Sequence, residues 1–268
     1  MKKTVKNLIT WSPSHLITSQ KSAFTLAEVL ITLAIIGVVA TMTIPTLMTS
    51  YKEKQTVSHL WRVYSTLSQA FKLAEAEHGS MATWGLKRTS AGIDPDTGEN
   101  IYDHSAQSLI VQRITPYLKV SKYCKLNEIC YPSASYLLSG EKTSSKDYTM
   151  VNESSSVPPE ANFFLNDGTF IQIGHYSRSS KYVDVAVTLP YGERKLGKTR
   201  FFFNYSADKG MHPEGEDDTF NTYCNPANTT TNAGRSCTAW VIYNKNMDYL
   251  HCADKLSWDG AHSCKEAE

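Results

Sequence analysis

Twenty-one consecutive residues, Phe24 to Ile44, carry a single ionisable side chain, Glu28. Wound as a helix at about 1.5 Å per residue, such a run spans roughly 30 Å, the thickness of a bilayer's hydrocarbon core. A carboxylate in such a run is costly in lipid, so Glu28 reads as a functional group that needs a partner. The other reactive side chains lie far beyond it. Six cysteines, Cys124, Cys130, Cys224, Cys237, Cys252 and Cys264, all follow the apolar run. An even number beyond a membrane segment points to disulfides in an oxidising compartment. Neighbours in sequence suggest Cys124–Cys130, Cys224–Cys237 and Cys252–Cys264, and the sequence leaves other pairings open. Metal binding is the rival use, because His251-Cys252 and His262-x-Cys264 bring nitrogen and sulfur together. No C-x-x-C pair is present, and thiolates would have to escape oxidation, so no metal or other cofactor is expected.

Two acidic stretches could bind cations. Asp94-Pro95-Asp96-Thr97-Gly98-Glu99-Asn100 spaces its oxygens suggestively, but it lacks the EF-hand pattern and Pro-Asp-x-Gly is a common turn. Glu214-Gly215-Glu216-Asp217-Asp218 reads as a solvated acidic turn. No catalytic arrangement stands out. The chain has no G-x-S-x-G, no H-E-x-x-H and no phosphate loop, and its eight His are scattered. His251, Cys252, Asp254 and Asp259 could form a site only if spacing supplied a partner for the thiol, which it does not show. The expectation is therefore a protein that is not an enzyme.

The elements around these residues can be read in order. Residues 1–23 are basic, with Lys2, Lys3, Lys6 and Lys21 and no acid, and Trp11-Ser12-Pro13 makes a poor helix. Positive charge before the apolar run keeps that end cytoplasmic and sends the rest outward. The whole chain has a formal charge of +1; with residues 1–23 set aside, 23 basic side chains face 26 acidic ones, a net −3. Such a balance gives no electrostatic footprint for nucleic acid.

Pro45 removes a backbone donor, so a kink or local melting is expected there. Beyond it, Val57, Leu60, Tyr64, Leu67, Phe71 and Ala74 recur at three- and four-residue steps, one stripe of an amphipathic helix. Lys52, Glu53, Lys54, Arg62 and Lys72 fall on its other face, and Gly79 is a natural stop. The run has too few heptads for a coiled coil. Residues 80–160 read as irregular, with a short helix from Ser108 to Val120 and a polar surface loop from Glu141 to Pro159. Residues 161–268 read as an antiparallel sheet and a Cys-rich tail. Asn166-Asp167-Gly168 is a hairpin turn between Phe163-Phe164-Leu165 and Thr169 to Ile173. Tyr182 to Val187 and Arg200 to Tyr205 supply two more strands, and Trp240-Val241-Ile242-Tyr243 suggests another. Met247 to Leu250, Leu256 and Trp258 offer small apolar patches that disulfides would staple. The fold class is α+β: a long N-terminal helix, half membrane-spanning and half amphipathic, packed on an antiparallel sheet with a disulfide-stapled C-terminal region.

Lys21-Ser22-Ala23-Phe24-Thr25-Leu26-Ala27-Glu28 resembles the processing signal of type IV pilins and type II secretion pseudopilins. In that family a prepilin peptidase cuts before a Phe and methylates the new amine. The resemblance implies cleavage between Ala23 and Phe24, N-methylation of Phe24, and Glu28 as the fifth mature residue. Pro45 stands where pilins place a helix-loosening proline; Ala23 stands where Gly is usual. A further family feature, a D-x-N-G-x-x-G-P-N loop, survives only as Asp184 and Gly197. The domains that follow are a leader at 1–23, a long helix at 24–79 with 24–44 as membrane span and filament core, the irregular region at 80–160, and the sheet and Cys-rich region at 161–268. The implied role is a subunit of a type IV pilus or type II secretion pseudopilus, polymerised through its helix. Its implied partners are the prepilin peptidase, other pilin subunits, the inner-membrane assembly platform and membrane lipid, and its implied location is the bacterial cytoplasmic membrane and then a filament. The competing readings are a secretory signal peptide cut after Ala40-Thr41-Met42, and a plain anchor carrying an extracellular enzyme or a binding module for surface glycans.

Overall fold

The computed structural model describes residues 24–86, 90–93, 95, 100–102, 105–124, 134–143, 161–177, 182–216, 219–230 and 232–268. The chain divides into two compact units, Met1–Met48 and Thr49–Glu268. The described part of the first is helical from Leu26 onward. Its side chains are exposed from Phe24 to Met48, apart from half-buried Ala40. An apolar surface of this kind has no partner among the described residues of its own unit, which is what a lipid-facing segment requires. The helix, α1 (Leu26–His78), runs through Pro45 without interruption. The expected local melting is absent: a proline removes one donor, and the turns on either side keep theirs.

In the second unit α1 buries Thr56, Val57, Leu60, Val63, Leu67, Ala70, Phe71 and Ala74, the stripe that the spacing predicts with Tyr64 half-buried beside it. Short elements follow α1 among the described residues. They are the hairpin β1 (Ser90–Ile93) and β2 (Asn100–Tyr102), α2 (Ser105–Ile114), β3 (Val120–Tyr123), β4 (Ser135–Tyr136), β5 (Asn162–Leu165), β6 (Phe170–Ser177), β7 (Tyr182–Thr188) and β8 (Arg194–Lys195). The chain closes with β9 (Arg200–Ser206), β10 (Gly210–Pro213), α3 (Thr219–Tyr223), α4 (Cys237–Asn244) and α5 (Tyr249–Cys252). Six strands form one sheet in the order β10-β9-β7-β6-β5-β3, every neighbouring pair antiparallel. Residues 80–160, read from sequence as irregular, thus contribute edge strand β3 to the main sheet. Their other strands, β1, β2 and β4, are two to four residues long, too short to print a period-2 pattern. The Asp94–Asn100 turn and the Glu141–Pro159 loop fall largely outside the described residues.

Strand β9 shows why the sheet is apolar on both faces. Phe201, Phe203 and Tyr205 join the main core with α1, where Phe203 stacks on Tyr64 at 5.6 Å and Tyr205 on Phe71 at 4.1 Å. Phe202 points the other way and packs with Leu137, Ala186, Leu196 and Ala233. Burial and a hydrogen bond to Glu75 Oε2 at 2.7 Å push the Tyr205 hydroxyl far above its ordinary range, so it stays a donor to α1.

A polar clasp joins α1 to the β5–β6 turn. His59 Nε2 lies 3.0 Å from both Asp167 Oδ2 and Thr169 Oγ1, and Arg62 donates to Asp167 Oδ2 at 3.0 Å. Burial alone would raise the Asp167 carboxyl, but hydrogen bonds from Thr169 and His59 hold it below the usual carboxylate range. A depressed folded-state pKa stabilises the fold above the unfolded value of about 3.9 and loses that stability as pH falls through the folded value. Melting between pH 5 and 2 therefore includes a component from Asp167, and Asp167→Asn flattens it; an unchanged slope would remove Asp167 from the acid response.

The C-terminal region departs from the sequence reading. Trp240 to Tyr243 lie in helix α4, not in a strand. A short apolar run carries no decisive period, and here Cys237 to Ile242 are all buried, so the segment is enclosed on every side. Trp240 stacks on Phe220 at 4.3 Å and meets Trp258 at 5.2 Å; Lys245, at φ 56°, ends the helix and donates to the Val241 carbonyl at 3.2 Å. The acidic turn is also corrected in part. Glu214 is half-buried and takes Arg235 in a fork, Nε to Oε2 at 2.5 Å and Nη2 to Oε1 at 2.7 Å. Glu216 is exposed and accepts from the Tyr243 hydroxyl. Gly215 between them has φ +99°, and a Cβ there would lie 1.9 Å from the Ser236 carbonyl oxygen, just before α4. Gly210, at φ +72°, opens on empty space. Gly210→Ala should cost about 1–2 kcal/mol from its left-handed backbone alone. Gly215→Ala should cost clearly more, because it must also displace the backbone that starts α4. Melting temperatures of the two variants decide this, and equal losses would show that the close approach is not rigid.

Candidate functional site

The first turn of α1 holds the residues singled out at the N-terminus. Glu28 Oε2 accepts from the Thr25 backbone N–H at 2.8 Å and from Thr25 Oγ1 at 2.9 Å. In return, the Glu28 N–H donates to Thr25 Oγ1 at 3.2 Å. Thr25 is the residue before the helix and Glu28 its third, so this is a reciprocal capping box. The carboxylate also sits in the first turn, where the helix dipole favours negative charge. Both effects explain locally why the helix begins at Leu26. They also give Glu28 a partner inside its own chain. Thr25 has no role in the sequence reading above, although Thr-x-x-Glu before an apolar run is a readable capping signature.

Phe24 precedes the cap and is 85% exposed. Ala23 lies outside the described residues. Pro45 sits within α1. What this end of the chain presents is an exposed apolar helix, an aromatic residue at its tip and one carboxylate held in the first turn. Among the described residues, α1 is the one helix long and apolar enough to cross a membrane.

The cysteine- and histidine-bearing tail is arranged for a different purpose. Cys224 bonds to Cys237 and Cys252 to Cys264. Cys124 is disulfide-bonded as well, and Cys130 lies outside the described residues. His251 Nε2 reaches Glu53 Oε1 at 2.9 Å, and His262 Nε2 reaches the Trp258 carbonyl at 3.0 Å. The two imidazoles thus face separate partners, and the sulfurs beside them are oxidised. Among the described residues no group of three His, Cys, Asp or Glu is placed to hold a metal ion. Asp254 Oδ1 accepts from Asn225 Nδ2 at 2.8 Å, which ties the two disulfide loops together.

Residues 18–44 match the prokaryotic N-terminal methylation motif. Residues 46–253 match a family described as one of unknown function, DUF6613. No curated protein and no solved structure matches the chain.

Proposed function

The chain belongs to the family of unknown function DUF6613 and is a type IV pilin- or pseudopilin-like protein, and from that premise we propose that it is a structural subunit of a type IV pilus or type II secretion pseudopilus. The observation that carries the reading is the methylation motif over residues 18–44, set on the apolar first part of α1, where Glu28 is the one charge between Phe24 and Ile44. The motif and the helix are those of a single-pass inner-membrane anchor.

In this proposal a prepilin peptidase removes residues 1–23 by cutting between Ala23 and Phe24, and the Phe24 amine is methylated. Inner-membrane assembly machinery then draws the subunit out of the bilayer, and α1 bundles with the helices of other subunits. Glu28 is the residue assigned to register. Its capping bonds to Thr25 keep the carboxylate at the helix tip, where the Phe24 amine of a neighbouring subunit can approach it with opposite charge. A lone carboxylate buried among packed helices costs several kcal/mol, which disfavours every register that leaves Glu28 unpaired. Pro45 leaves one backbone acceptor without its usual donor, which makes bending there cheaper on leaving lipid. The second unit then decorates the filament.

The test is the N-terminus of the membrane-extracted protein, read by mass spectrometry with and without a prepilin peptidase. A chain that begins at methylated Phe24 only when the peptidase is present supports the proposal. A start after Ala40, or an intact Met1 in the presence of the peptidase, overturns it and favours an anchored binding module or enzyme.

A further inference from the structure

One cavity of the second unit is lined by three lysines. It has a volume of about 460 Å3, and its wall includes Lys52 and Glu53 of α1, Glu193 before β8, Lys195 on β8, and Lys198 and Thr199 in the turn that follows. Three lysines and two glutamates thus share its wall, and Glu53 is already engaged by His251 at 2.9 Å. Burial first, and then the neighbouring Lys198, lower the Lys195 pKa, while Glu193 opposes them. Lys195 therefore lacks enough negative charge for its setting, and an anion in the cavity would relieve it.

The lysine turn is built, not loose. Lys195 donates its backbone N–H to Thr199 Oγ1 at 3.0 Å, Lys198 N–H donates to the Lys195 carbonyl at 3.1 Å, and Thr199 N–H donates to the same carbonyl at 2.9 Å. Gly197 at its centre has φ +69°, and a Cβ there would lie 2.8 Å from Cys237 Sγ. Buried Tyr249 donates its hydroxyl to the Gly197 carbonyl at 2.6 Å. The turn is thus seated against the Cys224–Cys237 disulfide, and the backbone that carries Lys195 and Lys198 is fixed before any ligand arrives. Such preorganisation reduces the cost of binding.

The ligand is narrowed by the chain itself. Lys52 lies eight residues after Ile44, the end of the apolar run, so no more than about 29 Å of chain separates it from that run. Ammonium groups bind phosphate as point charges, and basic side chains next to a membrane span are drawn to anionic headgroups.

We propose that this cavity holds the phosphodiester headgroup of an anionic phospholipid and so keeps the globular unit at the bilayer surface while the subunit waits in the membrane. The inference rests on the membrane-anchor part of the function proposed above. Membrane fractionation of the full chain tests that part separately.

The experiment uses the full chain in neutral detergent, with lipid retention counted by native mass spectrometry. The probes are phosphatidylglycerol, phosphatidylcholine and inorganic phosphate. One phosphatidylglycerol should be retained in preference to phosphatidylcholine. Lys195→Gln with Lys198→Gln should weaken retention by about tenfold or more, and Lys195→Arg with Lys198→Arg should keep it. Lys54→Gln should leave retention unchanged, because Lys54 lies on the same exposed stretch of α1 but outside the cavity wall. Thermal melting confirms that each variant is folded. Equal retention of the two lipids, or an equal loss with Lys54→Gln, overturns the proposal. Displacement of the lipid by an equal concentration of inorganic phosphate assigns the cavity to a soluble anion and overturns the lipid.

Discussion

Glu28→Ala should yield a protein that is cleaved and inserted in the membrane but enters filaments more than about tenfold less than the parent chain, because truncating one partner of a desolvated charge pair commonly weakens an interface by at least that factor. The structure shows a second role for the same side chain. Glu28 and Thr25 cap α1 reciprocally, so Glu28→Ala removes a helix cap as well as a charge. Two further variants separate these roles. Glu28→Gln keeps an acceptor that can complete the capping box, but it abolishes the charge. Thr25→Ala removes the capping hydroxyl and leaves the carboxylate. If pairing with a neighbour's amine drives register, Glu28→Gln assembles as poorly as Glu28→Ala, and Thr25→Ala assembles nearly normally. If the cap is what matters, the order reverses. Filament incorporation is read by shearing cells and quantifying the subunit, with the membrane fraction as the control for expression. Normal incorporation of both Glu28 variants would sink the pairing idea.

Cys224→Ser with Cys237→Ser should lower the stability of the second unit by about 3 kcal/mol, the loop-closure value for roughly fourteen residues. For a domain of this size that corresponds to a fall in melting temperature of about 6–12 °C. The position of the bridge argues against a smaller effect. Cys237 is fully buried at the start of α4, and its sulfur lies against Gly197, whose carbonyl takes the Tyr249 hydroxyl. Loosening it disturbs the aromatic stack of Phe220, Trp240 and Trp258 as well as the lysine turn. Cys252→Ser with Cys264→Ser opens a loop of similar length, yet both of these cysteines are half-buried, whereas Cys237 is fully buried. Its effect should be smaller. Differential scanning calorimetry of the two double variants checks the order; equal melting temperatures for the parent and the Cys224/Cys237 variant would show that packing, not the bridge, holds the region.

The amino-acid sequence alone determined the features that depend on neighbours along the chain. The apolar run with its one carboxylate, the three- and four-residue stripe of α1, the Asn166-Asp167-Gly168 turn and the strands at 182–188 and 200–206 are set by local periodicity and turn chemistry. These are signals that survive without any knowledge of the fold. The capping box belongs to the same class, since its two members are three residues apart. Tertiary structure decided what required distant partners. Trp240 to Tyr243 carry β-forming side chains, yet they are helical because the disulfide, Phe220 and Trp258 enclose Trp240 to Ile242 and leave only Tyr243 at the surface. Glu214 leaves solvent because Arg235, twenty-one positions away, meets it in a fork beside the Phe202 ring. The cavity of Lys52, Lys195 and Lys198 joins α1 to a turn more than a hundred residues later. Propensity and period act over a few residues, whereas enclosure, ion pairing and cavities are made by segments that meet only when the sheet closes on α1.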